Sequence, residues 1–130
     1  MNSLANGSLG SASGAGSGTI LDNTTLLDLN AVALLDLAAQ GSARSTGAGV
    51  ELWAFESIDG GTVYPDIIRE CGILVYRFRL DAATTARKQL SDVFRIGPGK
   101  TKLAVYNDTG QAFAASAGTV TVRTFSVTVA

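Results

Sequence analysis

Histidine is absent from this 130-residue chain, cysteine and tryptophan occur once each, and proline occurs twice. Without histidine the commonest general base, the usual transition-metal ligand and the partner of a serine nucleophile are all missing, so an enzyme is not expected and no catalytic residue is assigned. Cys71 alone makes neither an intrachain disulfide nor a cysteine-based metal cluster, and reads as a small buried hydrophobe. No apolar run approaches the roughly 18 residues needed to span a bilayer, and the first residues lack the basic stretch and apolar core of a signal peptide. The expectation is a soluble protein made in a cytoplasm. An excess of one charge is also missing, since ten bases and eleven acids leave a net charge of −1. That balance argues against a dedicated nucleic-acid binder.

The distribution of charge is informative. Residues 1–70 hold eight acids against Arg44 and Arg69, whereas residues 71–130 hold eight bases against Asp81, Asp92 and Asp108. Such a chain either presents faces of opposite sign to its neighbours or pairs its two halves across strands as it folds. The other anomaly is residues 1–18, which contain five Gly, five Ser and no charge. Ordering such a backbone costs about 1–2 kcal/mol per residue, more than its own side chains return. It reads as an extended arm that lies on a neighbouring chain, with Leu4 and Leu9 as its anchors.

From residue 19 to 130 the pattern is that of one all-β domain. Short runs rich in Val, Ile, Leu, Thr and aromatics alternate with Gly, Asn and Asp turns. From Leu27 to Ala39 every odd position is apolar, which fits a strand better than a helix. The run Val50–Ile58 leads into Asp59-Gly60-Gly61, and Gly72–Leu80 places Leu74, Tyr76, Phe78 and Leu80 on one face. Val93–Ile96 stops at Gly97-Pro98-Gly99, Lys100–Tyr106 resumes with Leu103 and Val105 inward, and Asn107–Gly110 turns again. In Thr119–Val129 the apolar phase changes after Val122, which predicts a β-bulge near Arg123 and Thr124. About seven to eight strands at this spacing predict a β-sandwich, immunoglobulin-like or jelly-roll.

Several motifs resemble chemistry without completing it. Gly97-Pro98-Gly99-Lys100-Thr101 ends like a phosphate-binding loop, but Phe94 stands where the first glycine belongs and a strand follows instead of a helix. Asp108-Thr109-Gly110 matches an aspartic-protease triplet, yet only twenty residues follow it. Glu56, Asp59 and Asp66 gather near the Gly60-Gly61 tip without an EF-hand spacing, so no metal site is assigned. Neither a cofactor nor a membrane partner is expected. Trp53 and Tyr64 flank the same hairpin and form a platform for sugar rings if they share an exposed face. Arg77 and Arg79, on one strand, form a basic strip suited to a partner's acidic surface.

Two stretches carry a family resemblance: ARSTGAGVELWAFESIDGGTVYPD over 43–66 and FRIGPGKTKLAVYNDTGQAFAASAGTVTVRTFS over 94–126. With their Ser-x-Asp-Gly-Gly tip and late Asn-Asp-Thr-Gly turn, they resemble the small β-sandwich virion proteins of tailed bacteriophages, in particular capsid decoration or cement proteins. The similarity spans roughly residues 24–128. It implies a non-enzymatic protein on the outer surface of the head, bound to major capsid subunits and to neighbouring copies of itself, without nucleic acid. Related sandwiches serve as neck, tail or fibre-attachment proteins, and a carbohydrate-binding module is the alternative from another class. Leu4, Leu9, Trp53, Tyr64, Arg77 and Arg79 are the candidate partner-binding residues.

Overall fold

The computed structural model describes residues 1–11 and 19–127, and these described residues form nine strands and one 3₁₀ turn, Arg69–Cys71. The strands are β1 (Leu9–Ser11), β2 (Thr19–Asp22), β3 (Asn30–Leu37), β4 (Gly49–Glu56), β5 (Ile73–Arg79), β6 (Arg87–Leu90), β7 (Phe94–Arg95), β8 (Lys100–Asp108) and β9 (Gly118–Phe125). They form two antiparallel sheets, an all-β sandwich. The first sheet runs β1–β8–β4–β5, with β2 following β1 along the same edge of β8; the second places β3 between β9 and the pair β6 and β7. The nine strands thus occupy seven positions.

Period-two burial explains the packing. In β3 the odd residues Ala31, Ala33, Leu35 and Leu37 are buried, and from the facing sheet Val50, Leu52, Phe78, Leu103 and Val105 meet them. Each large side chain removed from water contributes about 1.5–3 kcal/mol. The strand is shorter than its sequence pattern, because Leu27 and Leu29 at one end and Ala39 at the other are exposed.

The expected bulge near Arg123 and Thr124 is absent. β9 pairs with β3 in unbroken register from Asn30–Phe125 to Leu37–Gly118, so Phe125 falls on the outer phase instead of being returned to the core. The register shift lies between β4 and β5, where Leu52 pairs with Tyr76 but Trp53 with Leu74. Val75 is the extra residue and packs against the core, so Leu74, expected inward, lies on the outer face, 45 % exposed.

The N-terminal segment also departs from expectation. Met1 is 2 % exposed and belongs to the core, and Leu4 packs against it. Ser3 N–H donates to the Ala114 carbonyl, Gly7 N–H to Asn107, and Phe113 N–H to Leu4, while β1 pairs with β8. Residues 1–11 are therefore part of the sandwich, fixed by backbone pairing and two apolar side chains that composition alone undervalues. Of the expected arm, residues 12–18 lie outside the described residues; Ser11 and Thr19 on either side pair with the adjacent β8 positions Ala104 and Leu103. Cys71 is exposed at the 3₁₀ turn and not buried, since that turn contributes no side chain to the core.

Candidate docking surfaces

The outer face of the β8–β4–β5 sheet gathers most of the residues singled out in the sequence. Strand register sets Tyr106 opposite Glu51, Glu51 opposite Arg77, and Trp53 opposite Ala104. Arg69, carried over this face by the excursion between β4 and β5, stands 4.1 Å from the Tyr106 ring centroid and 5.7 Å from that of Trp53. Glu51, only 8 % exposed, accepts from Trp53 Nε1 at 3.1 Å and from Arg77 Nη1 at 2.9 Å. Arg77 also donates to Asp108 Oδ2 at 2.9 Å and to the Gly47 carbonyl at 2.8 Å. Its guanidinium lies over Gly49, where an added Cβ would sit 2.6 Å from Cζ, so glycine is the residue that admits this approach. Burial opposes the Arg77 charge, but hydrogen bonds and attraction from Asp108 and Glu51 outweigh it and hold its pKa above the ordinary value.

This network redefines the expected sites. Arg77 is not a free basic strip but the bridge between β5, β4 and β8. Arg79, next in phase, is exposed and takes part in no ion pair among the described residues. Trp53 and Tyr64 do not offer an open platform: Arg69 covers the first, and Lys102 Nζ stands 4.5 Å from the centroid of the second. The Tyr64 hydroxyl is buried without a hydrogen-bond partner among the described residues. Leu9 sits half-buried opposite Tyr106, and Leu4 is part of the packing beneath. Of the six candidates, Arg79 is the one that projects into solvent.

Charge pairing between the halves of the chain accounts for much of the sequence asymmetry. Glu51 meets Arg77, Asp36 meets Lys88, and Asp22 meets Lys100 across strands.

The turn motifs are structural. Asn107, fully buried, accepts from Thr109 N–H and Oγ1 and donates through Nδ2 to the Leu4 and Gln111 carbonyls, which locks the Asn-Asp-Thr-Gly turn. Asp59 Oδ1 accepts from Ser57 Oγ, Thr62 N–H and Val63 N–H. These bonds, that from Val63 foremost, hold its pKa below the ordinary carboxylate value. Among the described residues no three His, Cys, Asp or Glu side chains converge as a metal site would require. Gly97-Pro98-Gly99 borders a cleft of about 260 Å³ with Glu56, Ser57 and Lys100, and β8 rather than a helix follows it.

A surface that sequence periodicity missed lies between β2 and β3. Leu26, Leu27 and Leu29 are 70 %, 54 % and 60 % exposed, and Leu27 holds a left-handed φ of 52°. The corner is nevertheless fixed. Asn23, 2 % exposed, donates through Nδ2 to the Asp28 and Gly97 carbonyls and accepts from Asp28 N–H. Asp28 in turn accepts from Thr124 Oγ1 and Ser126 Oγ, each at 2.6 Å, and these bonds hold its pKa below the ordinary value. A rigid polar base thus presents three leucines outward. The signal was the run Asp22-Asn23-Thr24, a side-chain-capped turn in which Asp22 accepts from both Thr24 N–H and Oγ1.

No protein-family model, curated protein or solved structure matches the chain.

Proposed function

We propose that this chain is a non-enzymatic structural protein of a tailed-phage virion, bound to the outer surface of the capsid as a decoration protein. The observation that carries the proposal is the leucine corner. Leu27 is kept in a strained conformation by a buried asparagine while its side chain, with those of Leu26 and Leu29, is left in water. Strain maintained around an exposed apolar tip suits a preformed contact with another protein surface, since no ordering remains to be done on binding. The family resemblance supplies the identity of that surface, the seams between major capsid subunits. The cations stacked on Trp53 and Tyr64 favour this over sugar binding, because a sugar ring would have to displace them.

The test is co-sedimentation of the full chain with expanded, undecorated heads of the phage that encodes it, beside a Leu26→Ser, Leu27→Asn, Leu29→Ser variant. Saturation near the number of capsid subunits, lost in the variant, is the expected result. Saturation at a single ring would move the protein to the neck or tail, and no binding to heads would overturn the proposal.

A further inference from the structure

Among the described strand edges, that of β9 is long, regular and unguarded. The Ala38 N–H donates to the Ala117 carbonyl at 2.8 Å, which sets the phase of the β3–β9 ladder. With Leu37 opposite Gly118, the backbone groups of Thr119, Thr121, Arg123 and Phe125 turn toward β3. Those of Gly118, Val120, Val122 and Thr124 turn away, and among the described residues β9 has no second strand neighbour. The strand contains no proline, no bulge and a single charge, Arg123.

The other edges carry the usual protections against edge-to-edge pairing. β5 bears Arg77 and Arg79, carries the extra residue Val75 in its register with β4, and gives its Arg79 carbonyl to Gln89 Nε2 at 2.8 Å. The β6–β7 edge is interrupted at Ser91, whose Oγ replaces a ladder carbonyl in accepting from Ala33 N–H. β1 and β2 are three and four residues long.

We infer that β9 is the edge through which two copies of this chain join, antiparallel across a two-fold axis at Val122, into one continuous sheet. The strand is self-complementary in that register. Val122 meets the partner's Val122 as a hydrogen-bonded pair, and Val120 meets the partner's Thr124. On the outer side Thr121 faces the partner's Arg123 in a close, non-hydrogen-bonded pair, so no like charges are opposed. Arg123 has no ion pair in its own chain among the described residues. Beside the edge, Val32, Leu34, Leu90, Thr121 and Arg123 line an apolar groove of about 380 Å³, and pairing sets two such grooves side by side. On the inner side Val122 packs against the core yet stays half-exposed, at the seam that an added strand closes. An isologous two-fold contact is the commonest symmetry for such a patch. The inference stands apart from the virion role.

Sedimentation equilibrium of the full chain from low to high micromolar concentration tests it, together with two variants at the exposed Thr121. Thr121→Lys sets a lysine against the partner's Arg123 at two symmetric places and weakens the dimer about fivefold. Thr121→Glu sets a carboxylate there and tightens it by a similar factor. Amide exchange of the unmodified chain adds a readout independent of the variants: Val120, Val122 and Thr124 gain protection as concentration rises. A monomer throughout, a dimer indifferent to both variants, concentration-independent exchange at these amides, or a monomer that captures an unrelated extended peptide at this edge would overturn the inference.

Discussion

Arg44 and Asp81, thirty-seven residues apart in the chain, are joined by a 2.9 Å bridge from Arg44 Nη2 to Asp81 Oδ1, and the arginine side chain is fully buried. Arg44 also donates through Nε to the Asp81 carbonyl, through Nη1 to Gln40 Oε1 and through Nη2 to the Thr85 carbonyl. Gln40 continues the chain of bonds, giving its Nε2 to Thr109 Oγ1. One end of the sandwich is thus closed by a polar network that ties the loops after β3, β5 and β8 together.

Replacing Arg44 by Met keeps its bulk but leaves Gln40 and two carbonyls without their donor. The expected loss is about 2–4 kcal/mol of unfolding free energy, measured in urea, without a change in the far-ultraviolet signature of the sheets.

Asp81 makes stability depend on acid. Hydrogen bonds from Arg87 and Arg44 hold its pKa down from 3.8 to about 2. The unfolded carboxylate takes up its proton first, so the contribution is complete above about pH 4 and drains away as pH falls toward 2. Asp22, held low chiefly by the Thr24 hydroxyl, Asp28 and Asp59 add to the same slope. Unfolding free energy measured between pH 5 and 2 should fall less steeply in Asp81→Asn than in the unmodified chain; equal slopes would remove Asp81 from the account.

Gly118 opens β9 at a φ of 104°, and a Cβ there would stand 1.8 Å from the Asp36 carbonyl oxygen. That contact is backbone on a central strand and cannot swing aside. Gly118→Ala should lower stability by about 3 kcal/mol or more, read from thermal or urea unfolding. Gly41→Ala, where an added Cβ meets nothing within 4 Å, serves as the control that leaves stability nearly unchanged.

Removing residues 1–8 takes Met1 and Leu4 out of the packing, along with the bonds that Asn2 and Asn6 accept from Ala117 and Gly110. A loss of about 3–5 kcal/mol is expected, in line with the deletion of a buried side chain and its polar fasteners. An independent arm would leave the urea midpoint where it was.

Sequence by itself determined the all-β character and the inward phase of β3 and β8, because alternation with Val, Leu and aromatics is a local signal that the pleat converts directly into burial. In β5 that phase holds only from Tyr76 onward, since the extra residue Val75 turns Leu74 outward. It also placed the turns at Asp59–Gly61, Gly97–Gly99 and Asn107–Gly110, whose side-chain and glycine chemistry is likewise local. Tertiary structure alone decided the rest. That Met1 and Leu4 belong to the core depends on a pairing with residues about a hundred positions away. That Arg77 is a bridge, and Arg69 a lid on Trp53 and Tyr106, depends on which strands lie side by side. Leu27 and Leu29 carry the inward phase in the sequence and yet face water, because Asn23 turns the chain before β3 begins. Such outcomes follow from non-local hydrogen bonds and strand register, which no window of neighbouring residues contains.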